Sequence, residues 1–251
     1  MKSTRRSQSR SSRSRQRSYM WTALAVVVFV IIAAWPSIEK LWQSSGGQNP
    51  AVAATSQNKY GKGSALETLA SLPVKGKAPH TGYSREKFGP AWADVDHNGC
   101  DTRNDVLKRD LGQVTFKYGK CVVRSGILQD PYTGKTINFL RGRQTSEAVQ
   151  IDHVVALSNA WSTGAQQLSA EQRERLANDP YNLLAVDGPA NQEKSDADAA
   201  TWLPSNKGYR CAYVARQIGV KKKYSLWVTS AEKAAMQRVL NTCPQQKVPV
   251  K

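Results

Sequence analysis

The chain has 251 residues and a formal net charge of +17, with 36 lysine and arginine residues against 19 aspartate and glutamate residues. A chain of this length can bury one full hydrophobic core and carry further segments outside it. The positive balance argues against basic partners and favours nucleic acid or an anionic membrane or wall surface, although charge alone does not choose among these.

The N-terminal region predicts membrane targeting. Residues 1–18 are a basic tail that carries seven positive charges and no acidic residue, and residues 19–36 contain seventeen uncharged, mostly apolar residues that end at Pro36. This length is at the lower edge for a transmembrane helix. An uncleaved anchor is favoured over a cleaved signal peptide, because the Ala51-Val52-Ala53 site lies about fifteen residues beyond the apolar run. The basic tail places the N-terminus inside, so the remainder is predicted to be extracellular or, if cleaved, secreted.

The composition of residues 37–63 predicts a flexible linker. The folded domain is predicted to span residues 64–251. The domain contains four cysteines, an even count that indicates disulfides in an exported chain. The pairing with the shortest loops is Cys100–Cys121 with Cys211–Cys243, one of three connectivities. A zinc site is disfavoured because no two cysteines have a C-x₂₋₄-C spacing.

The first half of the domain predicts two β-hairpins and then a short strand at Val149–Asp152. The hairpin runs are Val114–Tyr118 and Cys121–Val123 around Gly119, and Gly126–Leu128 and Thr136–Phe139 around Asp130–Gly134.

Helices are predicted mainly later in the chain, from capping signals and amphipathic patterns. These are a short helix after Ser64 through Leu69, a helix from the capping box Ser169–Gln172 to about Asn178, a helix with Pro189 at its first position, and Tyr209–Lys221 and Ala231–Asn241. The last of these is capped by Thr229, with Glu232 three residues on. A strand at Asn182–Val186 precedes Pro189. This order predicts an α+β domain.

One group of polar residues has the composition of a hydrolytic metal site. Asp152 and His153 end the apolar strand, and Asn182 and Asn191 follow it along the chain. Phosphodiester hydrolysis needs a base for water, which a neutral histidine provides, and a hard cation, which oxygen ligands hold. Because neighbouring strand residues point to opposite faces, Asp152 and His153 are predicted to do different jobs. A backbone carbonyl or the Asn182 amide would fix the tautomer of His153.

These motifs resemble the ββα-metal core of HNH endonucleases, and within that superfamily the C-terminal domain of GmrSD-type restriction endonucleases, including stand-alone exported bacterial members. The resemblance covers roughly Ser64 to Pro244, and its core runs from about Gln150 to Lys194. The stretches that carry it are Arg109–Leu111, Asp130–Gly134, Ile151–Leu157 and Asn182–Val186.

The resemblance implies a disulfide-stapled fold with N-terminal β-hairpins, a ββα-metal core and C-terminal helices. It also implies that His153 is the general base, that Asn182 is the middle, orienting residue, and that Asp152 and Asn191 are the metal ligands. The family name expects histidine at the last position, where this chain has Asn191. Asparagine there is found in HNH branches that prefer magnesium, so one Mg²⁺ or Mn²⁺ ion is expected.

Weaker signals concern other ligands. Arg141, Arg143 and Lys194 are candidates for contacts with substrate phosphate, and Lys194 is the best placed, one helical turn after Asn191. Residues 94–105 match several positions of a calcium loop, but Asp105 replaces the usual glutamate at position twelve. An Asx-rich turn beside Cys100 is therefore favoured over a Ca²⁺ site.

The sequence therefore predicts a metal-dependent endonuclease that hydrolyses DNA, or RNA, outside the cytoplasmic membrane, without a small-molecule cofactor. The alternative is an inactive exported module that binds nucleic acid or cell wall with the same fold. A hydrolase of another phosphodiester would share the site and differ in substrate. The oligomeric state does not follow from the sequence.

Overall fold

The computed structural model describes residues 63–143 and 145–249, and in this part of the chain it is a mixed α+β domain. The strands are β1 (Leu111–Phe116), β2 (Val123–Gln129), β3 (Thr136–Leu140), β4 (Val149–His153) and β5 (Leu183–Asp187). The α-helices are α1 (Ala65–Ser71), α2 (Thr102–Asp110), α3 (Leu157–Ser162), α4 (Ala170–Asn178), α5 (Gly188–Lys194), α6 (Arg210–Lys223) and α7 (Ser230–Leu240). The predicted α+β class is confirmed.

The predicted basic tail at 1–18, the anchor at 19–36 and nearly all of the linker at 37–63 lie outside the described residues. Across residues 63–143 and 145–249, no helix combines the length and the apolar character that crossing a membrane requires.

The first three strands form an antiparallel sheet in the order β1-β2-β3. The two predicted hairpins are present, but the separate strands expected at Cys121–Val123 and Gly126–Leu128 are one continuous strand, β2. In the sequence, the polar residues Arg124 and Ser125 separate the two apolar runs. In the structure they belong to a half-buried strand, in which polar side chains face outward. Gly126 permits close pairing here, since a Cβ atom would lie 2.9 Å from Leu111 Cβ.

The last two strands, β4 and β5, form a separate antiparallel pair that leads directly into α5. Asp152 pairs with Leu184 and His153 with Leu183, so the polar end of β4 lies beside the start of β5. The Asp187 side chain caps α5 by accepting a hydrogen bond from the Ala190 N–H group at 2.9 Å. The predicted order of strand, strand and helix across this region is therefore observed.

The predicted capping boxes are confirmed: Ser169 and Gln172 close the start of α4, and Thr229 and Glu232 close the start of α7. Two helices, α2 and α3, were not predicted. In α2, Asp101 caps the helix through the Asn104 N–H group, but most residues are polar and no apolar period marks it. Tertiary packing of Val106 and Leu107 compensates for this weak pattern.

The β4–β5 pair is covered by side chains on both faces, which fixes the position of its polar end. Leu184 and Val186 belong to a cluster with α1, α6 and α7, whereas Leu183 and Ala185 belong to a cluster with α2 and the three-stranded sheet. A third cluster lies around α3 and α4. All five residues of β5 are buried, as expected for a strand packed on both faces.

Two disulfides join distant segments, and they have the predicted pairing. Cys100, just before α2, is bonded to Cys121 in the turn between β1 and β2, and Cys211 in α6 is bonded to Cys243 just after α7. No free cysteine is present, since these are the four cysteines of the chain.

Candidate functional site

A polar cleft of about 380 Å³ opens at the end of β4, between α5 and the segment that contains Tyr83 and Arg85. Three of the predicted site residues, Asp152, His153 and Asn191, line it together. The antiparallel pairing of β4 with β5 and the immediate start of α5 bring these residues together, although Asn191 follows His153 by 38 positions.

His153 is buried and fixed by one hydrogen bond, from its Nε2 atom to the carbonyl oxygen of Ala177 at 2.8 Å. Because a carbonyl oxygen only accepts, Nε2 carries the proton and Nδ1 keeps its lone pair. Burial is the main cause that lowers the pKa of His153 to about 4; the positive charges of Arg85 and Lys194 act in the same direction, and the hydrogen bond to the Ala177 carbonyl opposes them. The imidazole is therefore neutral at physiological pH, as a general base must be.

Asp152 is 5% exposed, and both of its carboxylate oxygens accept hydrogen bonds. The Lys194 Nζ atom donates to Oδ1 at 3.0 Å, and the Tyr132 hydroxyl donates to Oδ2 at 2.5 Å. Burial raises the pKa of Asp152, while Lys194 and Tyr132 oppose that rise. The ammonium group of Lys194, in contact with the carboxylate, favours its ionised form.

The side-chain oxygen of Asn191 is available as an acceptor because its amide nitrogen is already used. Its Nδ2 atom donates to Gln150 Oε1 at 2.8 Å, which fixes the orientation of the amide and leaves Oδ1 as an acceptor. Gln150 also lines the cleft, and the sequence gave no reason to choose it. The pair therefore combines an amide oxygen with the nearby carboxylate of Asp152.

Asn182 is fully buried and acts on the backbone around His153. Its Oδ1 atom accepts from the Val155 N–H group at 2.9 Å, and its Nδ2 atom donates to the carbonyl oxygens of Val155 at 3.3 Å and Leu176 at 3.4 Å. These bonds tie the segment after β4 to the end of α4, one residue before the Ala177 carbonyl that holds His153. Asn182 is thus a positioning residue, and the backbone carbonyl fixes the tautomer.

The motif residues Arg109, Asp110 and Asp130 hold the strands of the site in place. Asp110 Oδ2 accepts from the Ala185 N–H group at 2.8 Å, and Arg109 donates to the carbonyl oxygens before and within β5. Asp130 Oδ1 accepts from the Asp187 N–H group at 2.9 Å. These carboxylates bind the backbone of β5, so their contribution to the site is scaffolding.

The three predicted phosphate contacts have different environments. Lys194 is fully buried, and its Nζ atom also donates to the His153 carbonyl oxygen at 3.0 Å. Arg141 donates to the Val123 carbonyl oxygen and to Asn104 Oδ1, both at 2.6 Å. Arg143 is exposed and does not line the cleft. Arg85, which the sequence did not single out, is the arginine that lines the cleft.

Residues 94–99, within the segment that matches several positions of a calcium loop, form the favoured Asx-rich turn, in which the acidic side chains bind nearby backbone N–H groups. Asp94 accepts from the N–H groups of Asn98 and Gly99, at 3.1 and 2.9 Å, and Asp96 also accepts from Asn98. Within the described ranges, no group of three or more histidine, cysteine, aspartate or glutamate side chains is arranged to hold a metal ion.

The domain is a mixed α+β fold, and comparison with known proteins relates it to nucleases. The model of the GmrSD restriction endonuclease C-terminal domain matches residues 101–239, more than half of the chain. The chain is also 41% identical over 196 residues to an uncharacterized secreted protein of Arthroderma benhamiae, which covers 77% of this chain and 92% of that protein.

The chain belongs to the GmrSD restriction endonuclease C-terminal domain family. The matched region runs from the cap of α2 into α7 and contains the whole of the cleft-forming segment β4–β5–α5. The two disulfides and the secreted relative fit an extracellular location.

Proposed function

We propose that the protein is an HNH-type endonuclease that hydrolyses phosphodiester bonds of DNA with one divalent cation, outside the cytoplasmic membrane. The observation that carries this proposal is the state of His153, which is neutral, fixed through Nε2 and free at Nδ1. It lies in one cleft with the oxygen donors Asp152 and Asn191. Family membership supports a nuclease-related role.

The side chains present fit a hard cation with few protein ligands. Asp152 offers carboxylate lone pairs beyond the two that bind Tyr132 and Lys194, and Asn191 offers Oδ1. Magnesium and manganese prefer such oxygen donors, and magnesium commonly keeps several water ligands and binds substrate phosphate. A bound ion would supply charge stabilisation at the phosphate and the leaving oxygen.

The protein residues contribute the proton transfer and the orientation. Nδ1 of His153 takes a proton from the attacking water, and the new P–O bond forms. The bond from phosphorus to the 3′ oxygen breaks, the 3′ oxygen takes a proton from solvent water to become a hydroxyl, and a 5′ phosphate is left. A pKa of about 4 makes His153 a weak base in the free protein. The negative charge of a bound phosphate favours the imidazolium form, so substrate raises this pKa when the base is needed.

A polyanionic substrate fits the charge of the chain, which remains basic outside the tail, with 29 lysine and arginine residues against 19 acidic ones. We expect little sequence specificity. The predicted anchor at 19–36 would tether the domain to the outer face of the membrane.

The test is cleavage of supercoiled plasmid by the full-length chain under oxidising conditions, with Mg²⁺, Mn²⁺ or EDTA. We expect nicking that needs the metal and is lost in His153→Asn. The matched control is His97→Asn, because His97 lies in an exposed turn with φ +57°, which asparagine adopts readily.

An intact plasmid with folded protein in all metals would contradict the proposal. In that case, unchanged DNA affinity of His153→Asn would favour the alternative, an exported nucleic-acid binding module. Cleavage of RNA but not of DNA would support the proposed mechanism and would change only the proposed substrate.

A further inference from the structure

A second cavity, of about 280 Å³, is also lined by His153 and has no role in the chemistry described above. Its walls are mainly apolar and include Phe88, Pro90 and Trp92. Arg85, His153 and Leu157 line both this cavity and the polar cleft. We call it the Trp92 cavity. A ligand in it would therefore lie next to the group that activates water.

The Trp92 ring is held parallel to the imidazole of His153. The two ring centroids are 6.4 Å apart and the planes differ by 14°. The Arg103 guanidinium lies 5.9 Å from the Trp92 ring centroid, which supports the ring from another direction. Arg103 had no assigned role in the sequence, and this contact explains its place.

The backbone of Trp92 has φ +63°, an unfavourable left-handed conformation for a bulky residue. Asn178, which is buried, holds the loop in this state: its Nδ2 atom donates to the Pro90 carbonyl oxygen, and its Oδ1 atom accepts from the Ala93 N–H group. Asn178 follows Ala177, whose carbonyl fixes His153. The end of α4 therefore positions both rings together, and strain of this kind concentrates at functional sites.

We propose that the Trp92 cavity receives one unpaired nucleobase of the substrate, next to the scissile phosphate in the cleft. The inference rests on the proposed nuclease function and deepens it by naming the substrate class, single-stranded or frayed nucleic acid. The cavity volume is just below the roughly 300–1,000 Å³ of typical ligand pockets, which suits one ring system. Tryptophan stacks on every base, so such a site does not need sequence specificity.

The cavity lining carries one positive and one negative side chain, Arg85 and Glu86, and of these only Arg85 is shared with the polar cleft. Arg85 lies at the junction of the two cavities, where the phosphate that joins a base in one to the reacting bond in the other would pass. A base in a duplex is stacked and paired, so it must lose its stacking and pairing to enter the cavity. A single strand avoids this cost and would be preferred.

The first experiment measures binding in EDTA, so that no cleavage occurs. Fluorescence anisotropy compares a labelled oligothymidine, a duplex of the same length and a fully abasic strand of the same length, each with the full-length chain. We expect the oligothymidine to bind most tightly. Trp92→Leu should weaken its binding by about 5- to 100-fold, the range for removing a stacking partner of a base, and should leave the abasic strand unaffected.

Two further variants separate stacking from folding. Trp92→Phe keeps a flat ring and should retain most of the affinity. Tyr118→Leu removes an aromatic ring that is 67% exposed and lies in the turn between β1 and β2, and it should change nothing. If Trp92→Leu binds all three ligands as wild type does, or weakens all three equally, the inference is wrong.

The second experiment measures cleavage of single-stranded and duplex DNA with Mg²⁺. A nuclease that keeps its ratio of single-strand to duplex cleavage in Trp92→Leu would overturn the base cavity and leave the proposed function standing. Absence of any cleavage, with binding of oligothymidine that still depends on Trp92, would overturn the proposed function and support a base-binding cavity.

Discussion

The carboxylate of Asp152 depends on two buried donors that come from different parts of the chain, and Tyr132 is the neutral one. Outer contacts of this kind orient a metal ligand and tune its affinity. The tyrosine ring is fully buried, so its hydroxyl has the Asp152 oxygen as a fixed partner.

We expect Tyr132→Phe to raise the Mg²⁺ concentration needed for half-maximal cleavage by about 10- to 100-fold, because the carboxylate loses the donor that orients it. The measurement is a Mg²⁺ titration of plasmid nicking. Tyr213→Phe is the matched control, since Tyr213 is also fully buried and its hydroxyl accepts a hydrogen bond from Gln217. Equal shifts in both variants would mean that Tyr132 contributes only to packing.

The low pKa of His153 also predicts how stability depends on pH. An unfolded histidine titrates near pH 6.5, whereas burial lowers the pKa of folded His153 to about 4. As pH falls through this window, the unfolded state takes up a proton that the folded state does not. The free energy of unfolding should therefore decrease by about 2–3 kcal/mol from pH 7 to pH 4.5 through this residue.

Urea unfolding in EDTA at the two pH values measures this contribution. His153→Asn should lose less stability than wild type over the same range, and the difference should be about 2–3 kcal/mol, because the variant lacks only this imidazole. If wild type and variant lose equal amounts, His153 is not the group that carries the effect.

The junction between β5 and α5 leaves little space for a side chain at Gly188. A Cβ atom at Gly188 would lie 2.0 Å from the carbonyl oxygen of Glu147, which precedes β4. This close approach places the start of α5 against β4 and so places Asn191 beside Gln150.

We expect Gly188→Ala to destabilise the fold by about 1–3 kcal/mol and to lower the cleavage rate by up to about 100-fold, because α5 must move away from β4. Thermal unfolding and nicking rates test this. Gly112→Ala is the control, since its Cβ atom would be at an ordinary distance of 3.7 Å from its nearest neighbour. Wild-type activity in Gly188→Ala would show that the position of α5 is not critical.

The elements that follow from local chemistry could be predicted from the sequence. Each capping box, at Ser169 and at Thr229, is formed by residues within four positions of each other in the sequence. In the same way, β5 ends at Asp187, which is also the N-cap residue of α5. The helix α2 was missed because its polar sequence folds against apolar residues from elsewhere.

The chemistry of the site was only partly predictable for a related reason. Asp152, His153 and Asn191 stood out by residue type and order, and they meet in the cleft. Their partners did not stand out, because Tyr132 is 20 residues from Asp152 and the Ala177 carbonyl is 24 residues from His153. A backbone carbonyl also has no signature of its own in a sequence.

The two disulfides lie outside the cleft. They connect elements that would otherwise be held together by core packing alone. Cys211–Cys243 joins α6 to the end of α7, with a sequence separation of 32. None of the four cysteines lines the cleft. The bonds should therefore support the fold without taking part in the reaction.

We expect the double variant Cys211→Ser, Cys243→Ser to lose about 3–4 kcal/mol of unfolding free energy, because its unfolded chain regains the freedom that a closed loop of this length removes. At temperatures well below unfolding, its cleavage rate should match that of wild type, since His153 and Asp152 keep their contacts. Urea unfolding and plasmid nicking on the same preparations measure both quantities. A folded variant with wild-type stability but reduced cleavage would reverse this assignment and connect the α6–α7 bond to the cleft.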